Sequence, residues 1–95
     1  MKLEWDEEKN RKNIRKHGLD FADAWEIFEA PVLVNADKRF AYGDERWVGI
    51  GWLGKRVAVI VFTEIDDEAI RVISLRKAKK YEREQFEKIL RNRLG

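Results

Sequence analysis

The sequence contains no cysteine, one histidine (His17) and one proline (Pro31) among its 95 residues. The absence of cysteine excludes disulfide bonds and thiolate metal sites, and it is typical of proteins from a reducing cytoplasm. A single histidine excludes any mechanism that needs two imidazoles. No apolar run approaches the roughly 20 residues that span a bilayer, and no signal peptide precedes the first predicted helix. We therefore expect a cytoplasmic protein that uses neither a metal nor an organic cofactor and does not enter the membrane.

The length of the chain favours one domain over residues 1–95, because two smaller cores would each be unstable. Hydrophobic residues make up 44% of the chain and charged residues 40%, a globular balance with a highly solvated surface. Residues 1–70 carry 11 Lys/Arg against 15 Asp/Glu, whereas residues 71–95 carry 9 against 3. A second basic run occupies residues 9–17. Two basic patches on a chain of net charge +2 predict an anionic partner.

The first half of the sequence predicts two helices. Asp6 is a suitable N-cap and Gly18 a suitable left-handed C-terminal residue, which predicts a helix over residues 7–17. Asp20 is the predicted cap of a second helix that ends before Pro31. The apolar residues of this second helix follow a helical period and predict a buried stripe that consists of Phe21, Ala24, Trp25, Ile27 and Phe28.

The second half predicts a sheet and a final helix. Strands are expected at Val32–Val34, Glu45–Trp52, Arg56–Glu64 and Ala69–Arg76, and the last three should form an antiparallel meander. The strand Arg56–Glu64 is apolar on both faces, which predicts a central strand covered on both sides. The polar segment 36–44 is expected to be a loop. A helix over Lys77–Arg93 should face the core with Ala78, Tyr81, Phe86, Ile89 and Leu90. The sequence thus predicts an α+β domain with a three- to four-stranded sheet.

Several separated motifs resemble those of one family. The segment WDEEKNRKNIRKHGLDFADAWEIFEAP resembles the amino-terminal signature of the BrnT family of bacterial toxins, and DERWVGIG, VIVFTE and IRVISLRKAKKYERE resemble its later motifs in the same order. The resemblance implies a RelE-like fold and a metal-free ribonuclease activity that stops translation. It also implies an antitoxin, BrnA, with a ribbon-helix-helix DNA-binding domain. Two toxins and two antitoxins would form a heterotetramer, which binds promoter DNA only through the antitoxin.

Cleavage of RNA without a metal requires a base, an acid and cations around one phosphate. His17 is the expected proton carrier, because an unperturbed imidazole titrates near neutral pH. Glu64 is the candidate for the second proton transfer. Arginine binds phosphate through its planar fork, and the candidates are Arg46, Arg71 and Arg76. The basic side chains expected to bind RNA are Lys9, Lys16, Lys77, Lys79 and Lys80.

Several of these residues also have a purely structural interpretation. His17 at a helix C-terminus could act only as a cap that interacts with the last carbonyls. Glu64 and Arg71 could form a cross-strand ion pair beside a turn. Asn10 and Asn13 are more simply explained as buried groups that tie the first helix to a loop than as catalytic residues.

The chain departs from the family pattern at two positions of interest. Relatives often have arginine where Ile65 stands and tyrosine where Phe86 stands. These departures motivate an alternative function, in which a catalytically weakened homologue acts as a binding module for its antitoxin or for nucleic acid. A plain nucleic-acid-binding protein is a third hypothesis, and it predicts RNA binding with a steep salt dependence and no cleavage product.

Overall fold

A five-stranded sheet flanked by helices forms the part of the chain that the computed structural model describes, residues 1–39, 41 and 43–94. The strands lie in the order β1-β5-β4-β3-β2; β1 is parallel to β5 and all other neighbours are antiparallel. The elements in chain order are β1 (Lys2–Glu4), α1 (Glu7–His17), a 3₁₀ helix (Phe21–Glu29), β2 (Leu33–Ala36), β3 (Trp47–Leu53), β4 (Arg56–Asp66), β5 (Ala69–Lys77) and α2 (Lys80–Leu94). The α+β class and the meander of β3, β4 and β5 are confirmed.

Helix α1 has the bounds that its capping residues predict. The Asp6 carboxylate accepts hydrogen bonds from the backbone N–H groups of Glu8 (2.8 Å) and Lys9 (3.2 Å). Gly18 has φ 70° and its N–H donates to the carbonyl of Ile14 at 2.7 Å. Both ends of the helix therefore have partners for backbone groups that the helix itself leaves unpaired.

The second helical segment is a 3₁₀ helix, and this explains a wrong prediction about Trp25. A 3₁₀ helix has three residues per turn, so its side chains eclipse at every third position. Phe21, Ala24 and Ile27 follow this period and are all 0% exposed. Trp25 points away from that line and is 50% exposed, whereas the α-helical period places it in the buried stripe.

The sheet has five strands instead of the predicted three or four, because the sequence reasoning missed β1. This strand pairs Lys2, Leu3 and Glu4 with residues 69–71 of β5. It has three residues, of which one is apolar, so it shows no measurable alternation. Its pairing with β5 depends on backbone hydrogen bonds, which almost any residue type can make, so the sequence shows no pattern for it.

The central strand β4 is buried on both sides, as predicted. Ala58, Ile60 and Phe62 pack with the 3₁₀ helix on one side of the sheet, which we call the first face. The alternate residues of β4, from Val57 to Val61, are buried on the opposite side, the second face. There Phe86 of α2 lies 5.9 Å from Trp52, centroid to centroid, and is 1% exposed.

Helix α2 begins three residues later than predicted, because β5 continues through Lys77 and the backbone N–H of Ala78 then donates to the carbonyl of Val57 at 2.9 Å. The core stripe predicted for α2 is wrong at two positions. Tyr81 is 62% exposed and Ile89 is 38% exposed. No helix among the described residues is both long and apolar enough to cross a membrane.

Asn13 joins α1 to the outer edge of β5. Its side-chain amide donates to the carbonyls of Leu75 (2.8 Å) and Leu19 (3.0 Å), and its oxygen accepts from the N–H of Leu75 (3.2 Å). The strand β1 pairs only with residues 69–71, so Asn13 takes the place of a strand partner further along β5. One helical turn later, His17 is consequently held beside the end of β5.

Asn10 fixes the same helix to the segment that follows it. Its oxygen accepts from the N–H of Phe21 at 2.9 Å, and its amide donates to the Asp20 carboxylate at 2.9 Å. Asn10 and Asn13 are 6% and 8% exposed, so their polar groups need these partners. The prediction that both asparagines tie the helix to a loop is confirmed.

Candidate functional site

Arg76 lies near the end of β5, on the second face of the sheet, where it pairs with Val59 of β4. Its guanidinium donates two parallel hydrogen bonds to the Glu82 carboxylate, Nη1 to Oε1 at 2.8 Å and Nη2 to Oε2 at 2.9 Å. A third bond runs from Nη1 to the carbonyl of Lys77 at 3.2 Å. This bidentate geometry fixes both the position and the plane of the guanidinium.

Glu82 also closes the first turn of α2. Its Oε1 accepts from the backbone N–H of Lys79 at 2.7 Å, which is the role of the acidic residue in a capping box. The hydrogen bonds from Arg76 lower the pKa of Glu82 from 4.5 to about 2, although burial opposes the change. Glu82 in turn raises the pKa of Arg76. The pair therefore stays ionised at any physiological pH.

His17 is half-buried in the last turn of α1. Burial lowers the pKa of His17 from its ordinary value of 6.5, and the positive charges of Lys16 and Arg76 lower it further. The imidazole is therefore mostly neutral at pH 7. A helix cap that works through its charge would have a raised pKa at this end of a helix, so the lowered pKa of His17 does not favour a charged cap.

Arg76 has a second neighbour with an exchangeable proton. The phenol of Tyr81 and the imidazole of His17 are both close enough to the guanidinium to interact with it electrostatically. Tyr81 was predicted to face the core but is exposed, and its hydroxyl is therefore accessible. We call His17, Arg76, Tyr81 and Glu82 the Arg76 cluster.

Most of the lysines expected to bind RNA surround this cluster. Lys77, Lys79 and Lys80 are exposed and follow Arg76 directly in the chain. Lys16 is exposed next to His17. Lys9 is exposed in the first turn of α1, about 10 Å along the helix from Lys16 at 1.5 Å per residue. An RNA strand that reaches the cluster would thus pass several ammonium groups.

Glu64 is not brought into the Arg76 cluster. It pairs with Ile70, five residues along β4 from the Val59 partner of Arg76, which is roughly 17 Å at about 3.4 Å per residue. The alternation of β4 also places Glu64 on the first face, and its side chain is exposed there. The structure therefore does not support a proton transfer shared by Glu64 and His17.

Arg71 lies toward the other end of β5 from Arg76. Its Nη2 is 3.5 Å from Oε1 of Glu4 on β1, and both side chains are about half exposed. The predicted cross-strand pair between Arg71 and Glu64 is wrong, since β5 places Ile70 opposite Glu64 and Arg71 opposite Thr63. An exposed ion pair of this kind contributes little to stability.

Arg46 directly precedes β3 and is also distant from the Arg76 cluster. Its Nε is 3.5 Å from Oδ1 of Asp44, and its side chain is 23% exposed. It lines a cavity of about 650 Å³ whose described lining residues are 36–39, 41 and 43–47. Of the three arginines predicted from sequence, only Arg76 is close enough to His17 for its charge to lower the pKa of the imidazole.

Sequence reasoning missed Arg39, a second arginine near Arg76. The Asp37 side chain is 1% exposed and accepts from Nε of Arg39 at 2.8 Å and from its Nη2 at 2.9 Å. The positive charge of Arg39 lowers the pKa of Arg76, against the increase that Glu82 causes. The two guanidiniums are therefore close enough to repel each other. The sequence shows only a polar loop here, and an Asp and an Arg two positions apart do not reveal that the loop folds toward β5.

Arg39 and Arg76 line a common cavity of about 300 Å³, which we call the second-face cavity. Its apolar lining is Val48, Val59 and Val61, and Ser74 contributes a hydroxyl. No group of three His, Asp or Glu side chains among the described residues is placed to bind a metal ion. The arrangement can bind an anion at two guanidiniums and exchange a proton at a neutral imidazole.

Comparisons with known proteins agree on one family. The family model described as "Ribonuclease toxin, BrnT, of type II toxin-antitoxin system" matches residues 5–82, a range that includes the whole Arg76 cluster. The crystal structure of the Brucella abortus ribonuclease toxin, BrnT, is similar with 38% sequence identity and a TM-score of 0.65. The match covers 84% of this chain and 99% of that one. No curated protein sequence gives a significant match.

Proposed function

Because the chain belongs to the BrnT family of ribonuclease toxins of type II toxin–antitoxin systems, we propose that it cleaves RNA by metal-independent acid–base catalysis at the Arg76 cluster. The observation that supports this proposal is a guanidinium that two hydrogen bonds fix close enough to His17 for its charge to lower the pKa of the imidazole. A neutral imidazole accepts a proton, and a fixed guanidinium stabilises the negative charge that develops on a phosphate.

The reaction begins with a proton transfer to His17. The imidazole takes the proton of the ribose 2′-hydroxyl, and the 2′-oxygen then attacks the adjacent phosphorus. Arg76 donates hydrogen bonds to the charged oxygens of the five-coordinate phosphorane. The bond from phosphorus to the 5′-oxygen breaks, and Tyr81 protonates that oxygen in place of the distant Glu64. The products are a 2′,3′-cyclic phosphate and a free 5′-hydroxyl.

The biological setting of this activity follows from the family. We propose that cleavage of RNA inhibits translation in the cytoplasm, and that a BrnA-like ribbon-helix-helix antitoxin binds and inhibits the toxin. In this proposal two toxins and two antitoxins form a heterotetramer, and promoter DNA is bound only by that complex. The RNA-binding part of this proposal is supported by exposed lysines, which provide a basic surface for an RNA strand around the cluster: Lys16, Lys77, Lys79 and Lys80.

RNA cleavage in the presence of EDTA tests the catalytic proposal. The wild-type protein should cleave RNA, and His17→Ala and Arg76→Ala should each reduce the rate by at least about a hundredfold. Arg56→Ala, which removes an exposed arginine at the start of β4, should cleave at the wild-type rate. A requirement for added Mg²⁺, or cleavage by a His17→Ala, Arg76→Ala double variant, would contradict the mechanism.

The structure gives no support for a weakened homologue that only binds. Ile65 lies beyond Glu64 in β4, far from Arg76, and is 46% exposed. Phe86 is a core residue that packs against Trp52. Neither side chain belongs to the Arg76 cluster, so neither departure from the family pattern removes one of the groups that the proposed reaction uses.

A further inference from the structure

We propose that the second-face cavity binds one nucleotide of the RNA, with its phosphate between Arg39 and Arg76 and its base against the valines. This inference rests on the proposed function and extends it. The phosphate is the one that is cleaved, so the edge of Arg76 that stabilises the phosphorane also binds it, and the cavity takes the nucleotide that carries the attacking 2′-hydroxyl. The volume of about 300 Å³ is at the lower end of small-molecule pockets, roughly 300–1,000 Å³. A cavity of this size holds one nucleotide, not a longer segment.

The hydrogen bonds of Arg76 leave one edge of its guanidinium available. A guanidinium has five N–H donors. Two of them bind Glu82 and one binds the carbonyl of Lys77. Among the described residues nothing accepts from the Nε–H or from the second Nη2–H, which lie along a common edge. Two parallel donors on one edge match two phosphate oxygens.

Arg39 supplies the second cationic group. Its guanidinium is held by the buried Asp37 carboxylate, so its position is defined although its side chain is 61% exposed. The positive charges of Arg39 and Arg76 repel each other, and Arg39 accordingly lowers the pKa of Arg76. A phosphate between the two guanidiniums would convert this repulsion into two attractive contacts.

The balance of charge in the cavity predicts how the phosphate is bound. Asp37 and Glu82 offset the charges of Arg39 and Arg76, and the exposed Lys38 leaves the lining with a formal net charge of only +1, so directed hydrogen bonds contribute more than net charge. Binding in the cavity should therefore depend weakly on salt, in contrast to binding on the exposed lysines. Val48, Val59 and Val61 provide an apolar surface for the base, and the hydroxyl of Ser74 lies on the same wall.

The test is a titration of the full chain with adenosine 3′-monophosphate, followed by NMR of the valine methyl groups and of the backbone amides. Signals of Val48, Val59 and Val61 should shift, and adenosine without phosphate should bind at least about tenfold more weakly. Arg39→Ala should weaken nucleotide binding by about tenfold, whereas Arg56→Ala should leave it unchanged.

Two further variants separate this inference from the proposed function. Ser74→Leu fills the cavity without removing a charge and should also prevent nucleotide binding. His17→Ala should abolish cleavage but retain nucleotide binding. Shifts confined to Lys77, Lys79 and Lys80, or wild-type binding by Arg39→Ala, would overturn the inference while RNA cleavage stands. A protein that binds the nucleotide in the cavity but never cleaves RNA would overturn the proposed function alone.

Discussion

At the scale of single residues, Glu82 links the structure of α2 to the chemistry of Arg76. One carboxylate accepts from the guanidinium and from the first free N–H of the helix. The two functions have different requirements, because the helix needs only an acceptor, whereas Arg76 needs a charged, bidentate one. A substitution that keeps the shape and removes the charge therefore distinguishes them.

Glu82→Gln should destabilise the protein by about 1–2 kcal/mol, since one charge-assisted pair is lost at a partly exposed site. The pKa of Glu82 is lower in the folded protein than its ordinary value of 4.5, at about 2. Its contribution is therefore complete above pH 4.5 and is lost as the pH falls toward 2. Chemical unfolding of the wild type and of Glu82→Gln at a series of pH values measures this. A difference between the two proteins that does not shrink over this range would contradict the assignment.

His17 should set the acidic limb of the activity profile. Because burial and the charges of Lys16 and Arg76 lower the pKa of His17 below 6.5, the basic form is present at pH 7 and is lost only in more acidic solution. We expect kcat/KM for RNA cleavage to fall with an apparent pKa below 6.5. Lys16→Ala should move that limb toward higher pH, because one positive charge is removed. An identical limb in the two proteins would show that another group titrates.

At the scale of elements, the position of α1 depends on one side chain. Asn13 makes three hydrogen bonds to backbone groups, two of them at the edge of β5. Asn13→Ala leaves buried backbone groups of Leu75 without partners and should cost about 2–4 kcal/mol in the free energy of unfolding. It should also reduce RNA cleavage, since α1 positions His17. The exposed Asn92→Ala in α2 is the control, and equal stability of the two variants would refute this role.

The bounds of α1 were predicted correctly because they depend on residues close to it in the sequence. The caps of α1 depend on residues next to the helix, and the sequence shows them directly. The 3₁₀ period of residues 21–29 and the pairing of β1 depend on the rest of the fold, so the sequence predicted an α-helix and missed a strand. The exposure of Tyr81 has the same origin, because it depends on how α2 lies on the sheet.

The residues of the candidate site divide in the same way, into those that a sequence motif indicates and those that only the fold reveals. His17 and Arg76 belong to motifs whose residue types indicate proton transfer and phosphate binding. Arg39 and Glu82 are assigned only because the folded chain brings three segments together, the loop after β2, the end of β5 and the start of α2. Glu64 was chosen for its residue type, and the strand register places it on the other face.

At the scale of the whole molecule, the exposed lysines Lys77, Lys79 and Lys80 form a basic surface at one end of β5. Single-stranded RNA bound there should release counterions, with a slope of log K against log salt of about −0.7 per phosphate contact. The triple variant Lys77→Ala, Lys79→Ala, Lys80→Ala should lower that slope by about 2. The matched control replaces Lys2, Arg71 and Lys88, which are exposed on β1, toward the other end of β5 and on α2, and should retain the wild-type slope. Equal slopes in the two triple variants would place the RNA on a different surface.

The most direct measurement of the central claim is the chemistry of the cleaved ends in EDTA. The wild-type protein should produce a 2′,3′-cyclic phosphate and a 5′-hydroxyl, and a single 2′-deoxy substitution at the cleaved nucleotide should prevent the reaction. Fragments that end in a 3′-hydroxyl and a 5′-phosphate, or cleavage of the deoxy-substituted strand, would show that the 2′-oxygen is not the nucleophile and that His17 does not act as proposed.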